Sequence, residues 1–173
     1  RDGTVTGVQT CALPISSPPF PLRETGVNDR VVVFSTGGED LPSGWGANAV
    51  AVLGEAGTLL VDPLVAPAYA RELERLLADR GAGPVKWVVT THHHTDHSVG
   101  ASVFAAAGAE VFAHAVAAER MAAEQPAILA QRRATPELCA LFADAVPAVP
   151  TRLVTAPLEL LVGGLRAVVR PCG

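Results

Sequence analysis

The order of elements along this chain predicts an α/β sandwich with helices outside and sheets inside. Three observations carry that expectation. Two short apolar runs flank Gly54-Glu55-Ala56-Gly57 and read as a β-hairpin. A strand, an amphipathic helix and a second strand then follow over residues 58–90 as a βαβ unit, which implies parallel strands and a right-handed crossover. After a helical middle, short strands return between Arg152 and Arg170. The chain has 173 residues, the size of one domain. At 49% hydrophobic and 17% charged, it has the material for a core and is too apolar for disorder.

Each element has its own warrant. Val31, Val32, Val33 and Phe34 make Arg30 to Ser35 a short buried strand. Thr36 to Gly46 is rich in Gly, Pro and Ser and is expected to be a loop, with Trp45 either lining a cleft or packing on the surface. Ala47 to Leu53 and Thr58 to Asp62 are the hairpin strands. Pro67 suits the first position of a helix over 67–80, because its missing N–H costs nothing there. Tyr69, Leu73, Leu76 and Leu77 form the apolar face of that helix, and Gly81 and Gly83 end it. Val85 to Thr90 is a strand, Ser98 to Ala107 a helix and Glu110 to Ala113 another strand. Ala115 to about Asp144 is helical with a break at Thr135-Pro136, where Thr135 fits an N-cap. Arg152 to Thr155, Leu158 to Val162 and Leu165 to Arg170 are strands, the last two joined by Gly163-Gly164.

Composition excludes several functions. A net charge of -4 offers no nucleic-acid surface, and Arg132-Arg133, the only adjacent basic pair, is expected to lie on a solvated helix face. No apolar run reaches the roughly 18 residues of a transmembrane helix. Cys11, Cys139 and Cys172 are too sparse for a disulfide framework, and Cys139 reads as a small hydrophobe on a helix. Residues 1–15 match one translated frame of a common short-read sequencing adapter and are expected to be a scar outside the fold. A signal peptide fits poorly, because Thr6, Gly7, Gln9 and Thr10 interrupt any apolar stretch. Residues 1–29 are thus expected to be artefact and disordered linker, and residues 30–173 a partial domain. The compartment stays open, with the cytoplasm as the default.

The chemistry is concentrated in one stretch. Val88-Val89-Thr90-Thr91-His92-His93-His94-Thr95-Asp96-His97-Ser98 runs from an apolar strand into five metal-capable side chains, and a helix follows. The C-terminal end of a strand is where α/β folds place their sites, and imidazole and carboxylate are ligands of catalytic zinc. His92 and His94 are two apart and share a side in an extended segment, which turns His93 away. Asp96 and His97, past a bend, can reach a second ion. Two ions about 3.5–4 Å apart can share a bridging hydroxide whose pKa falls to about 7, a nucleophile at neutral pH. Asp96 is also placed to orient that hydroxide or to take a proton at the leaving-group step.

With its apolar strand, its His92-x-His94-x-Asp96-His97 motif and Gly100 after it, the sequence resembles the metallo-β-lactamase superfamily. The strand with Asn48, the strand from Gly57 to Asp62 and the strand end Phe112-Ala113-His114 extend the resemblance over roughly residues 30–173. It implies an αββα sandwich, incomplete here at the C-terminus, with a dinuclear site between two sheets. His92 and His94 would bind one metal and Asp96 and His97 the other, two zinc ions with iron or manganese as alternatives. Asp62 would orient ligands through hydrogen bonds; a strand-end turn residue is the alternative reading of it.

The resemblance also implies a third His on a Gly-His loop, a bridging carboxylate and a last His. The remaining histidine, His114, reads as structural or rim. The chain is therefore expected to bind metal weakly and to be inactive as it stands. The full-length parent is expected to be a hydrolase of a small-molecule ester, thioester, lactone, amide or phosphodiester. The alternatives are a mononuclear iron oxidoreductase of the persulfide dioxygenase kind, or a fragment with no function. His94 disfavours the flavodiiron branch, and the acidic balance disfavours a ribonuclease Z-like nuclease.

Overall fold

The computed structural model describes residues 13–36 and 46–172. Seven strands form one mixed sheet in chain order: β1 (Arg23–Asn28), β2 (Val31–Ser35), β3 (Asn48–Val52), β4 (Thr58–Val61), β5 (Val85–Val89), β6 (Glu110–His114) and β7 (Arg152–Val154). The pairing is antiparallel from β1 to β4 and parallel from β4 to β7. A hairpin of β8 (Leu158–Val162) and β9 (Leu165–Val169) makes a second sheet.

Helices fill the three parallel crossovers. α1 (Pro67–Asp79) joins β4 to β5, α2 (Thr95–Ser98) and α3 (Ala101–Ala106) join β5 to β6, and α4 (Ala115–Ala134) and α5 (Cys139–Phe142) join β6 to β7. The strands advance in one direction across the sheet, so right-handed crossovers put every one of these helices on one face. Side-chain alternation shows which residues meet them. Leu60, Val88 and Val111 are mutual register partners, fully buried, and belong to the main core with Tyr69, Leu73 and Leu77 of α1 and Phe104 of α3. The next row, Val61, Val89 and Phe112, points to the other face. Phe112 and Val89 line a cleft together with Val169 of β9, so the β8–β9 hairpin covers that second face. Arg30 ties the two sheets, donating from Nε to the Leu53 carbonyl at 3.0 Å and from Nη2 to the Gly163 carbonyl at 2.7 Å. The layers of the described residues are helix, sheet, sheet; the outer helix layer that the αββα resemblance implies is not among them.

Four local expectations need correction. The domain does not start at residue 30, because Arg23–Asn28, assigned to the linker, is the edge strand β1. All six of its residues are exposed, so its pairing with β2 leaves no apolar alternation to read. Nor is the stretch before it wholly detached: Ile15 and Leu22 pack on the core, and the Ile15 N–H donates to the Ala140 carbonyl. Residues 1–12 of the expected adapter scar, and Trp45, lie outside the described residues.

The helix expected over Ser98 to Ala107 is split in two and begins earlier, so Asp96 and His97 ride on the first turn of α2. The break is at Gly100, whose N–H donates to the Leu64 carbonyl at 2.9 Å, and a Cβ there would collide with the Pro63 carbonyl. Thr135 does not cap a following helix. It closes α4, its hydroxyl donating to the Gln131 carbonyl at 3.0 Å, and α5 starts only at Cys139.

Candidate metal centre

The site is built where β4 and β5 end side by side. The Asp62 N–H extends the ladder to the Val89 carbonyl at 2.9 Å. The chain then turns sharply: Asp62 and Leu64, on either side of Pro63, have φ of 55° and 69°. Asp tolerates this left-handed region; for Leu it is strained by about 1–2 kcal/mol. Leu64 is fully buried and its carbonyl is the partner of the Gly100 N–H, so packing around the site holds it there.

The turn aims the Asp62 carboxylate, only 6% exposed, at the start of the motif. Oδ1 accepts from the Thr91 N–H at 2.7 Å, and Oδ2 accepts from the Thr91 hydroxyl at 2.7 Å. Oδ2 also lies 2.9 Å from His97 Nδ1. A carboxylate accepts only, so His97 carries a proton on Nδ1, and in the neutral imidazole Nε2 is the atom left with a lone pair. His97 Nε2 lies 3.3 Å from Asp96 Oδ2. A similar chain sets His92. The Thr91 hydroxyl spends its one proton on Asp62, so at 3.0 Å it accepts from His92 Nδ1, and His92 Nε2 is left as a lone pair. It faces His94 Nδ1 at 3.1 Å.

Electrostatics support the neutral form of His92. Its pKa is held below the usual histidine value, first by burial and then by neighbouring His97 and His94, against the opposing pull of Asp62 and Asp96. Neutral imidazole is the form that ligates metal.

The structure thus brings His92, His94, Asp96, His97 and Asp62 to one place. Single ligand atoms of Asp62, His92 and His97 all lie within 4.8 Å of one another and could hold an ion. The His92 and His97 rings are 4.2 Å apart, with His94 and Asp96 flanking them. The His93 Nε2 points to α4, 3.7 Å from a Glu124 carboxylate oxygen, while its ring stays 4.5 Å from that of His94. His114 caps α4, its Nδ1 accepting from the Val116 N–H at 3.3 Å. Beside Thr91 opens a cleft of 270 Å3, lined also by Phe112, His114, Val154, Arg170 and Cys172. A larger cleft of 560 Å3, lined by Arg30, Glu55 and Arg80 among others, contains no residue of the motif.

Sequence reasoning missed the residues behind the motif. Ser98 and Gln125 are buried, and Arg132, expected on a solvated face, is half-buried with its guanidinium 4.7 Å over the Phe142 ring. A signal for Gln125 existed: it is the polar member of the buried i, i+4 stripe Ala117, Met121, Gln125, Leu129.

Comparison with known proteins agrees with this geometry. The family profile of the metallo-beta-lactamase superfamily matches residues 42–168. No curated protein matches the sequence. Among solved structures, a metallo-beta-lactamase from Pontibacter korlensis is similar at 18% identity and a TM-score of 0.64, over 84% of this chain and 58% of that one. One from Erythrobacter litoralis, with beta mercaptoethanol in its active site, is 20% identical with a TM-score of 0.55, over 78% of this chain and 50% of that one. The metallo-beta-lactamase FIM-1 from Pseudomonas aeruginosa, in a mono-zinc form, is 17% identical with a TM-score of 0.55, over 84% of this chain and 56% of that one. The chain spans little more than half the length of these proteins, whose likeness shows the fold. No described helix is long and apolar enough to cross a membrane. With the family profile matched over most of its length, and the fold shared with these structures, the chain belongs to the metallo-beta-lactamase superfamily.

Proposed function

We propose that the motif is the metal site of a hydrolase, with His92 and His94 on one ion, Asp96 and His97 on a second, and Asp62 orienting His97. One observation carries this reading. Two ligands about 2.0–2.1 Å from one tetrahedral ion lie roughly 3.3 Å apart. The pairs His92 Nε2–His94 Nδ1 and Asp96 Oδ2–His97 Nε2 are 3.1 and 3.3 Å apart. With both imidazoles neutral, each pair includes an Nε2 lone pair, an arrangement that a cation completes. Imidazole and carboxylate fit zinc best, with iron or manganese as alternatives.

A bound ion supplies Lewis acidity, lowering the pKa of a coordinated water to about 7 and polarising the oxygen of the bond under attack. The chain's own residues prepare the rest. Asp62 and Thr91 fix the tautomers of His97 and His92. Asp96 keeps Oδ1, the oxygen turned from His97, to accept a proton and return it to the leaving group. The substrate class is a small molecule with an ester, thioester, lactone, amide or phosphodiester bond. Because the chain spans just over half of the similar structures, this activity is proposed for the whole protein.

The test is metal retention followed by a hydrolysis screen. The protein is exposed to Zn2+, Fe2+ or Mn2+, freed of excess ion and analysed for bound metal. Zinc retained by the wild type and lost in His92→Ala and His97→Ala supports the site. Equal retention in all three proteins contradicts it. Iron retained in preference to zinc, with no hydrolysis by the whole protein across the five bond types, contradicts the hydrolase.

A further inference from the structure

The residues between the ligands are held as tightly as the ligands themselves, and from one side. Gln125 is 1% exposed on α4, and its hydrogen-bonding groups are engaged. Its Oε1 accepts from the Ala148 N–H at 2.8 Å, and its Nε2 donates to Ser98 Oγ at 2.8 Å. Ser98 Oγ in turn donates to the His94 carbonyl at 2.7 Å. Two turns further along α4, Arg132 Nη2 donates to Thr95 Oγ1 at 2.7 Å while its guanidinium lies over Phe142. Glu124 faces His93. Thus His93, Thr95 and Ser98, the non-ligand residues in and just after the motif, all meet α4, while His92 and His97 turn to Asp62 and Thr91.

Gln125 occupies a position in an otherwise apolar stripe, where burying an amide is unfavourable unless its bonds are made. An aliphatic residue would fill the same space without ordering the loop.

We propose that α4 positions the metal ligands, Gln125 through Ser98 and Arg132 through Thr95, and that both are positioning residues of the site. This rests on the motif being a metal site. Outer partners of ligating residues typically change metal affinity by about 10–100-fold when removed.

The test uses Co2+ as the probe, reading its affinity and visible absorption spectrum at a temperature where circular dichroism shows each protein folded. The wild type is compared with Gln125→Leu, Ser98→Ala and Arg132→Met. Leu129→Ala, on the same buried stripe, is the control for lost packing. The expected result is that Gln125→Leu and Ser98→Ala weaken Co2+ binding by about 10–100-fold and shift its spectrum, Arg132→Met does so to a lesser degree, and Leu129→Ala leaves both unchanged. Should Gln125→Leu fail to fold, Ser98→Ala decides the matter, since it removes a single oxygen. Wild-type affinity and spectrum in Ser98→Ala and Gln125→Leu would overturn the inference and leave the metal site standing. Equal loss in Leu129→Ala would overturn it too, as an effect of stability alone. A wild-type protein that takes up no Co2+ would overturn the reading of the site, and the inference with it.

Discussion

Replacing Asp62 by Asn probes the link between the β4 turn and the metal ligands. Asn keeps the size of the side chain and tolerates the φ of 55° at this position. It also keeps an oxygen for the Thr91 N–H. What it loses is Oδ2, which takes the Thr91 hydroxyl at 2.7 Å and His97 Nδ1 at 2.9 Å. Bonds to a charged acceptor are worth about 1.5–3 kcal/mol each. The Thr91 hydroxyl can rotate to accept from the new amide, so about 1–3 kcal/mol is the expected net cost. For a chain of this length that lowers Tm by roughly 2–12 °C. The functional effect is of similar size in free energy and falls on the metal. An amide NH2 facing Nδ1 forces the proton of His97 onto Nε2, the atom that faces Asp96. Zinc affinity should then fall by about 10–100-fold while the fold persists. Competition with a chromophoric chelator measures the affinity, and a thermal melt measures the stability. Wild-type zinc affinity in Asp62→Asn would refute the tautomer argument. Unfolding of Asp62→Asn would show that the carboxylate serves the fold first.

Other outcomes follow from the same structure. Gly100→Ala must push α3 off the Pro63 carbonyl and weaken the bond to Leu64; overpacking of this kind costs about 1–3 kcal/mol, read as a lower Tm and weaker metal binding. Tyr69, the single tyrosine of the chain, has its pKa raised above 10 by burial, against a smaller opposing effect of a backbone hydrogen bond with Phe20. Its contribution to stability is therefore complete below pH 10 and is lost as pH rises through the folded value, so tyrosinate absorbance should appear at higher pH in the folded protein than in the unfolded one, and Tyr69→Phe should soften the alkaline transition. His93→Ala should leave zinc affinity near wild type, because the His93 Nε2 faces Glu124 and its contact with His94 is through the ring alone; a loss matching that of His92→Ala would contradict the assignment. Zinc at about 100 times its Kd should stabilise the protein by roughly 2.7 kcal/mol, reversed by a chelator.

Most of the sheet was legible because burial leaves a pattern. β2 through β6 are apolar runs bounded by glycine, proline or polar turns, and α1 carries its stripe Tyr69, Leu73 and Leu77. β1 was not legible, since an exposed edge strand is specified by its partner's backbone and not by its own side chains. The early start of α2 was missed for a different reason: Thr95-Asp96-His97-Ser98 is helical by virtue of its neighbours, with His94 as N-cap and Gly100 wedged under Pro63. At the site, the gathering of His92, His94, Asp96 and His97 in one place follows from their spacing, as does the pointing of the His93 Nε2 to another partner. The supports do not. Thr91, Ser98, Gln125 and Arg132 act across distances of up to 37 residues in sequence, and Arg132 next to Arg133 looks like ordinary surface charge until Phe142 and Thr95 are placed against it.

The most direct test is the stoichiometry and affinity of zinc on the purified chain, by equilibrium dialysis and elemental analysis, for the wild type, His92→Ala/His94→Ala and Asp96→Ala/His97→Ala. The account predicts two ions on the wild type, bound weakly, with one lost in each double variant. Zinc bound equally by all three proteins, or by none of them, would contradict it.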